Sequence, residues 1–308
     1  MPPIGANTLV VLAGCVLFGA TSGAVGTFAL ARRRSLVADV AGHATLLGVC
    51  LAFLVGEATG IGGRTPWLLS LGALASALAA TLAAPALARL PRLGADGANA
   101  VLLALGFGLG AVLLSLVQSD ASGAQGGLRR LLFGSAAAMT RGDLAMLALL
   151  SALALAFVVL LFKELSALAF DELHARATGI PVAILDAALL ALVVACVVAG
   201  MQVAGVVLVV AMLVTPAAAA RQGRGPVARL VLRAAAIGAA SAGAGVALSH
   251  GAALPTGAAM TLVATAIFAG TLAAGRMRRA RPRTKSHTTP QTTPETAPPT
   301  HPRTERVR

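Results

Sequence analysis

Charged and aromatic residues are scarce in this sequence. Of its 308 residues only 11% are charged and 3% aromatic, with one tryptophan and no tyrosine. Soluble domains usually carry about 25% charged residues, so the shortage of charge excludes an ordinary water-soluble fold. Apolar residues make up 57% of the chain and recur in long runs along most of it. The sequence therefore predicts an all-α fold, a polytopic membrane bundle of about eight or nine transmembrane helices.

Several nucleotide-binding and catalytic motifs are also missing. The chain has no G-x-x-x-x-G-K-[ST] phosphate loop, so it cannot bind ATP by that device. It has neither an H-E-x-x-H zinc-protease helix nor a G-x-S-x-G nucleophile elbow. Cys15, Cys50 and Cys196 stand alone inside apolar runs, a spacing that indicates neither a disulfide nor a thiolate metal site. We therefore expect this chain not to be an enzyme.

Positive charge is in excess, with a net charge of +13, and much of it lies in loops and after Gly275. Basic loops beside membrane spans determine topology and contact anionic lipid headgroups. No aromatic residues are interleaved with them, so nucleic-acid binding is not indicated. The first apolar run has no positive charge before it and Arg32–Arg34 after it, the reverse of a secretory signal. We predict a retained first span that begins outside and ends at these arginines in the cytoplasm.

The apolar runs each approach the roughly 20 residues that a helix needs to cross a bilayer. We predict spans at 8–30, 36–56, 66–88, 98–118, 143–162, 183–200, 203–220, 232–249 and 257–275. A turn at Met201–Gln202 would separate the sixth span from the seventh. Segment 119–142 contains an apolar piece, LLFGSAAAM, that is too short to cross and is typical of a re-entrant or interfacial segment. The transmembrane domain would occupy 1–275, followed by a disordered, basic, Pro/Thr-rich cytoplasmic tail at 276–308.

The second apolar run, Ser35–Val55, contains two ionisable residues, Asp39 and His43. An ionisable residue in a bilayer costs at least about 2.5–3.5 kcal/mol, so it is rarely present without a function. The spacing of i and i+4 places the two side chains on one face of a helix. A carboxylate and a neutral imidazole are good ligands for zinc, manganese and ferrous iron. The pair could contact a metal ion, or it could be a hydrogen-bonded pair that orients two helices.

Other polar features are weaker signals. His250 should lie at the outer face, where it could contact an arriving ion or be an ordinary surface residue. We expect Asp186, near the cytoplasmic end of its span, to be solvated. The amphipathic segment Phe162–Val182 predicts a short helix across the cytoplasmic face that is closed by Gly179 and Pro181. Such a segment docks on a partner or rests on the membrane, and its periodicity does not choose between the two.

Four stretches occur in a specific order between Ser35 and Phe268. They are SLVADVAGHATLLGVCLAF, FKELSALAFDELHARATGIPV, VAGVVLVVAMLVTPAAAAR and LPTGAAMTLVATAIF. In this order they resemble the second-span motif, the cytoplasmic coupling loop, the glycine- and proline-marked central span and the last span of one family. That family comprises the permease subunits of bacterial ATP-binding-cassette importers for zinc, manganese and iron.

The resemblance implies a transport subunit that crosses the bacterial inner membrane several times. ATP would be hydrolysed by a separate cytoplasmic ATPase subunit docked on a cytoplasmic coupling helix, and an extracytoplasmic solute-binding protein would deliver the ion. A second permease chain would complete the pathway as a homodimer surrounded by membrane lipid. The resemblance implies no permanently bound cofactor, because the divalent metal ion is the substrate. The ion would cross by alternating access.

The resemblance also assigns roles to particular residues. Asp39 and His43 match the acidic and imidazole positions of the family's second-span motif, which favours metal contact over a structural pair. The positions that match the ATPase-coupling loop are Phe170, Asp171, Ala175 and Gly179. The Ala-x-x-x-Gly spacing would let a face of small residues press on the ATPase.

Two other kinds of transporter fit the same residues. A permease of similar architecture could carry a metal chelate or a cobalamin-like cofactor, although so few aromatic residues weigh against a wide cavity for a large ligand. A secondary transporter could couple metal to protons through Asp39 and His43 and would need no ATPase. The residues do not choose among zinc, manganese and iron, because aspartate and histidine bind all three.

Overall fold

The structure is a computed structural model that describes residues 6–32, 34–60, 62–63, 65–119, 139–223, 225–252 and 254–280. Within these ranges the chain forms α-helices joined by short connections, without a strand. The helices are α1 (Ala6–Ala31), α2 (Ser35–Ala58), α3 (Pro66–Leu87), α4 (Gly94–Ser119), α5 (Arg141–Leu160), α6 (Phe162–Phe170), α7 (Glu172–Ala177), α8 (Val182–Ala204), α9 (Val206–Ala220), α10 (Val227–Ala252) and α11 (Thr256–Ala280). The all-α fold class predicted from the sequence is confirmed.

Among the described helices, eight are long and apolar enough to cross a membrane. A helix of 20 residues rises about 30 Å, which is the thickness of the hydrocarbon core of a bilayer. Helix α9 is equally apolar but has only 15 residues, so it rises only about 22 Å. The predicted bundle of eight or nine helices is therefore confirmed with eight helices of spanning length, beside which α9 is a shorter apolar helix.

The turn between α8 and α9 falls at Gly205, so its predicted position at Met201–Gln202 is wrong. Gly205 has a φ of 84°, a left-handed conformation that glycine adopts without steric cost. Helix α8 continues to Ala204, and the Gly205 amide still donates to the Met201 carbonyl oxygen at 3.0 Å. Helix α8 is consequently longer than predicted, and α9 is shorter.

Small residues let the helices approach to backbone contact. A Cβ added at Gly19 of α1 would overlap the carbonyl oxygen of Gly238 in α10, and one added at Gly238 would overlap that of Gly19. Helices α2 and α3 approach each other in the same way at Gly48 and Gly72. Lipid tails are as apolar as leucine, so close packing of this kind, rather than the hydrophobic effect, holds membrane helices together.

Several connections predicted to be cytoplasmic meet at one end of the bundle. Nη1 of Arg221, just after α9, donates to the carbonyl oxygen of Leu30 in α1 at 3.4 Å. Arg32, just after α1, forms an ion pair of 2.9 Å with Glu172 of α7. The arrangement agrees with the predicted alternation of the spans, because all these segments belong to the same side.

Two predicted features lie mostly outside the described residues. These are residues 120–138, which include nearly all of the apolar piece predicted to be re-entrant, and residues 281–308, which form most of the predicted tail. The first five residues after the predicted domain boundary, 276–280, continue helix α11.

Helix α5 begins with a capping box, in which the Thr140 hydroxyl accepts from the Asp143 amide and the Asp143 carboxylate accepts from the Thr140 amide.

Candidate functional site

Asp39 and His43 lie one turn apart in the first third of α2. The helix begins directly after Arg34, whose carbonyl oxygen accepts a hydrogen bond of 3.1 Å from the Val37 amide. At 1.5 Å per residue, Asp39 lies about 6 Å and His43 about 12 Å along the helix from its start. Nε2 of His43 is 3.5 Å from Oδ1 of Asp39. The face that the spacing predicts these side chains to share is confirmed.

The pair lies on the open side of α2. The side chain of Asp39 is 40% exposed and that of His43 is 25% exposed. Leu36, one turn before Asp39 on the same face, is 46% exposed, and Leu51, about a quarter turn around the helix from His43, is 45% exposed. The opposite side is packed into the bundle through Ala38, Ala41 and Val49. Exposed leucines suit lipid, whereas a partly exposed carboxylate is costly there.

Phe107 of α4 lies against the His43 imidazole. The two ring centroids are 5.5 Å apart, and the rings meet edge to face at 88°. Helix α4 can come this close because a Cβ at Gly106 would already lie 3.0 Å from Cα of Ala44 in α2. Phe107 is an aromatic contact of the candidate site that sequence reasoning missed, because its helix is apolar throughout and nothing in the sequence distinguishes this side chain.

Asp39 and His43 are two side chains of the types that bind metal ions, and the described residues place no third such side chain with them. Within the described part of the chain, no group of three or more His, Cys, Asp or Glu side chains could hold a metal ion. Structural zinc sites usually have four protein ligands, whereas open sites leave positions for water or substrate. On their own, Asp39 and His43 could offer a cation one oxygen and one nitrogen ligand.

The segment Phe162–Val182, predicted to couple to an ATPase and called the coupling segment below, forms two helices rather than the single one predicted. Helix α6 ends at Phe170, and Asp171 takes an extended conformation with φ −147° and ψ 101°. Its Oδ1 accepts a hydrogen bond of 3.0 Å from the His174 amide, so Asp171 is the N-cap of α7. Gly179 follows α7 with a φ of 81°, as expected for a residue that terminates a helix.

The side chains that α7 buries and exposes differ from those expected from the sequence. Ala175 is fully buried within the chain, whereas Leu173 is 80% exposed. Ala175 therefore cannot press its side chain on a partner, and the predicted face of small residues is wrong at this position. Gly179 is exposed, as is Asp171. The outward surface of α7 thus presents a leucine among polar residues.

His250 is not brought to Asp39 and His43. It lies in the last turn of α10 and is exposed. Helix α10 begins at Val227, a few residues after Arg221, which contacts the end of α1. Since α2 also begins beside the end of α1, His250 lies at the opposite end of the bundle from the pair, at the end predicted to be outside.

Comparison with known proteins identifies the family. A model of the ABC 3 transport family matches residues 6–275. The chain belongs to this family. It is similar to the manganese transport system membrane protein MntC of Bacillus subtilis (strain 168), with 39% identity over 263 residues, 85% of this chain and 59% of that protein. The match therefore spans less than two thirds of that relative's length.

Two further relatives support the assignment. The zinc transport system membrane protein TroC of Treponema pallidum (strain Nichols) is 35% identical over 212 residues, 69% of this chain and 70% of that protein. A chain in the solved structure "PsaBC from Streptococcus pneumoniae in complex with Fab" superimposes with a TM-score of 0.76 at 27% identity, covering 87% of this chain and 91% of that one. Together with the eight apolar helices, these matches make the chain a multi-pass membrane protein.

Asp186 was expected to be solvated, but in this member of the ABC 3 family its carboxylate is paired with two arginines. Its Oδ1 lies 3.3 Å from Nε of Arg32, and its Oδ2 lies 2.6 Å from Nη2 of Arg34. Its side chain is only 16% exposed. The partners are about 150 residues away in sequence, so no local pattern could have predicted the pairing.

Glu172 of α7 is a second carboxylate, besides Asp186, that pairs with Arg32. Hydrogen bonds from Arg32 and then from Arg176 hold the pKa of its carboxyl below the ordinary value, because both guanidinium groups favour the ionised form. Oε2 of Glu172 lies 2.9 Å from Arg32, and its Oε1 lies 2.6 Å from Arg176. Glu172 therefore stays ionised at neutral pH and connects α7 to the residue that follows α1.

Proposed function

We propose that this chain is the membrane-spanning permease subunit of an ATP-driven importer for divalent transition metal ions. The substrate class is zinc, manganese or iron, in line with the names of the relatives to which the chain is similar. The observation that carries the proposal is the Asp39–His43 pair, 3.5 Å apart and partly exposed on a predominantly apolar membrane helix. A carboxylate and an imidazole in that position serve a cation better than they serve stability.

Asp39 and His43 have complementary roles in this proposal. The Asp39 carboxylate attracts the cation and supplies a hard oxygen ligand, while neutral His43 supplies a nitrogen lone pair. The ion must be released as readily as it is bound. Two protein ligands per chain, with water in the remaining positions, hold it more weakly than a closed site of four ligands would. The pair is therefore suited to transit rather than storage.

A second copy of the chain completes the pathway. The open side of α2 carries an incomplete ligand set, and a two-fold axis beside it would bring a second Asp39 and a second His43 to the same ion. Exposed Leu36 and Leu51 would then contact the other copy instead of lipid. This arrangement accounts for two polar residues on a surface that would otherwise face the membrane.

ATP hydrolysis belongs to a separate cytoplasmic subunit. The sequence has no phosphate loop, and the α6–α7 segment projects Leu173, 80% exposed, at the end predicted to be cytoplasmic. We propose that the ATPase docks there and that an extracytoplasmic binding protein delivers the ion at the opposite end, where His250 lies. ATP-driven movement of the coupling segment would open the pathway alternately to the two sides.

Metal uptake tests the function directly. Cells containing the chain, its ATPase and its binding protein are given micromolar zinc or manganese, with Asp39→Asn and His43→Ala compared with wild type. We expect uptake of one metal to collapse in both variants at normal membrane insertion. Asp96→Asn, the same substitution at an exposed carboxylate in the first turn of α4, is the matched control and should transport normally.

Three outcomes would contradict the proposal. Normal uptake by His43→Ala would make the pair structural and place the ion path elsewhere in the bundle. Transport by the chain alone in liposomes with a pH gradient, without ATPase or ATP, would favour a proton-coupled secondary transporter. Competition by a metal chelate, but not by the free ion, would favour a chelate permease instead.

A further inference from the structure

Four charged side chains connect the coupling segment to the helix that carries the candidate metal ligands. We name this group the ionic link; its members are Arg32, Arg34, Glu172 and Asp186. We propose that the ionic link is the mechanical connection that carries movement of the coupling segment to α2, and thus to Asp39 and His43. The inference rests on the proposed function and specifies which residues couple ATP use to the ion site.

Arg32 holds three elements at once. Its Nη1 donates to Oε2 of Glu172 in α7 at 2.9 Å, and the same atom lies 3.4 Å from the carbonyl oxygen of Leu168 in the last turn of α6. Its Nε donates to Oδ1 of Asp186 in α8 at 3.3 Å. A positively charged guanidinium group at the carboxyl end of a helix also interacts favourably with the helix dipole. A displacement of α6 or α7 therefore acts directly on Arg32.

Arg34 connects the same group to α2. Its Nη2 donates to Oδ2 of Asp186 at 2.6 Å, and it is the residue directly before the first turn of α2. Asp39 follows within about two turns of continuous helix. A helix transmits displacement along its axis because its backbone hydrogen bonds resist stretching. Movement of Arg34 therefore reaches the metal ligands without passing through a loop.

Burial makes the link stiff. The side chains of Arg32 and Asp186 are 14% and 16% exposed, so their attraction is screened less than that of a surface pair. Removing one partner would leave a poorly solvated charge, which is costly. By contrast, Arg176 is 64% exposed and pairs with Glu172 of its own helix, so it cannot transmit movement between elements.

The structure also leaves space beside the link. An open cavity of about 610 Å³ is bordered by Arg32, Arg34, Glu172, Arg176 and Asp186 on one side and by residues 181–184 on the other. The segment between α7 and α8 is therefore not packed solidly against the link. The space leaves room for α7 to move together with Arg32, to which Glu172 is paired, and Asp186 of α8 passes the displacement from Arg32 to Arg34.

The test measures metal transported per ATP hydrolysed. The complete complex of permease, ATPase and binding protein is reconstituted in proteoliposomes, with Asp186→Asn and Glu172→Gln compared with wild type. We expect ATP hydrolysis to stay within about twofold of wild type, while metal transported per ATP falls roughly fivefold or more, the range of typical coupling between sites. Metal bound by the complex without ATP should be unchanged, since Asp39 and His43 are intact.

The controls separate coupling from folding. Arg176→Gln removes a partner of Glu172 without cutting a connection between elements, so its transport per ATP should equal that of wild type. Arg32→Lys keeps the charge and should retain more coupling than Arg32→Gln. Glu172 is 38% exposed, so the Glu172→Gln complex can assemble even if the Asp186→Asn complex does not. In that case the transport per ATP of Glu172→Gln alone tests the ionic link.

The outcomes distinguish this inference from the proposed function. A wild-type complex that moves no metal would overturn both. A wild-type complex that transports metal, together with Glu172→Gln and Asp186→Asn variants of unchanged transport per ATP, would overturn the ionic link alone. Equal loss of ATP hydrolysis and transport would also overturn it, because the link would then serve only to dock the ATPase.

Discussion

At the scale of single residues, Phe107 is the aromatic side chain in contact with the His43 imidazole. Its ring packs edge to face at a centroid distance of 5.5 Å. Such a contact is worth about 0.5–1.5 kcal/mol, so in Phe107→Ala we expect metal affinity to fall about two- to tenfold. The measurement is uptake rate against metal concentration, in which the half-saturating concentration should rise more than the maximal rate falls.

Leu109→Ala is the matched control for Phe107→Ala. Leu109 lies on the same helix and is 51% exposed, close to the 52% of Phe107, but it makes no ring contact with His43. Its replacement should leave the half-saturating metal concentration unchanged. An equal rise in the half-saturating concentration for both substitutions would mean that any loss of side-chain volume on α4 has this effect. Phe107 would then have no particular role at the imidazole.

The Glu172 carboxylate gives stability with a defined pH dependence. Its pKa lies below the ordinary value of 4.5, so its ion pairs stabilise the fold above that value and are lost as pH falls through the depressed one. Because Glu172 is 38% exposed, we expect at most about 1 kcal/mol. Thermal unfolding should show a lower midpoint for Glu172→Gln than for wild type at neutral pH. The difference should shrink as pH falls below 4.5 and vanish once pH is below the depressed pKa of Glu172. A difference that persisted in acid would contradict the ion-pair origin.

Residue-scale prediction from sequence succeeded where the signal was local. The i and i+4 spacing of Asp39 and His43 was enough to predict a shared face, because helix periodicity alone determines it. The same reasoning gave Asp186 the wrong environment. Its partners, Arg32 and Arg34, are brought to it by the packing of α1 against α8, and such packing leaves no trace in a local pattern.

At the scale of helices, glycine determines how closely α1 and α10 approach. A Cβ at Gly238 would overlap the Gly19 carbonyl oxygen, whereas a Cβ at Gly270 of α11 meets nothing within 4 Å. We therefore expect Gly238→Ala to destabilise the protein by about 1–3 kcal/mol through overpacking. Gly270→Ala should be neutral or stabilising by up to about 1 kcal/mol, because alanine is the better helix former. The readout is the thermal midpoint in nanodiscs.

A lowered midpoint for both glycine variants would contradict this account of the α1–α10 contact. Equal losses would indicate that added volume anywhere in the bundle is harmful. Opposite signs would instead identify the Gly19–Gly238 approach as the specific constraint, since both substitutions add the same methyl group to a helix.

Helix boundaries were predicted to within a few residues wherever apolar runs end in charge. The exception is the α8–α9 junction, where apolar residues continue on both sides of Gly205 and only its positive φ breaks the helix. The coupling segment was also predicted as one helix. The Asp171 N-cap, which divides it into α6 and α7, was overlooked, although aspartate is a common N-cap residue.

At the scale of the whole molecule, the sequence predicted the class and the number of helices because both follow from composition and run length. The arrangement of the helices could not be derived in the same way. Alanine, leucine, valine and glycine recur on every span, so many pairings have similar apolar surfaces. The pairing observed depends on individual close approaches such as Gly48–Gly72, and only the three-dimensional structure reveals these.

Cross-linking tests whether two copies meet along the open side of α2. In a two-fold interface, a residue near the axis contacts its own copy. Leu51, 45% exposed and about a quarter turn around α2 from His43, should therefore cross-link to itself when Leu51→Cys is made in a background without Cys15, Cys50 and Cys196. The measurement is the yield of disulfide-linked dimer in native membranes. Leu262→Cys on α11, 64% exposed, is the control and should remain monomeric.

The yields decide how the metal site is completed. A dimer from Leu51→Cys alone would place the two copies of α2 side by side, so that two Asp39–His43 pairs can share one ion. Equal yields from Leu51→Cys and Leu262→Cys would reflect random collision. No dimer from Leu51→Cys would mean that this side of α2 faces lipid or another protein. Asp39 and His43 would then have only water or that other protein to complete the coordination of the ion, and a homodimeric pathway along α2 would be wrong.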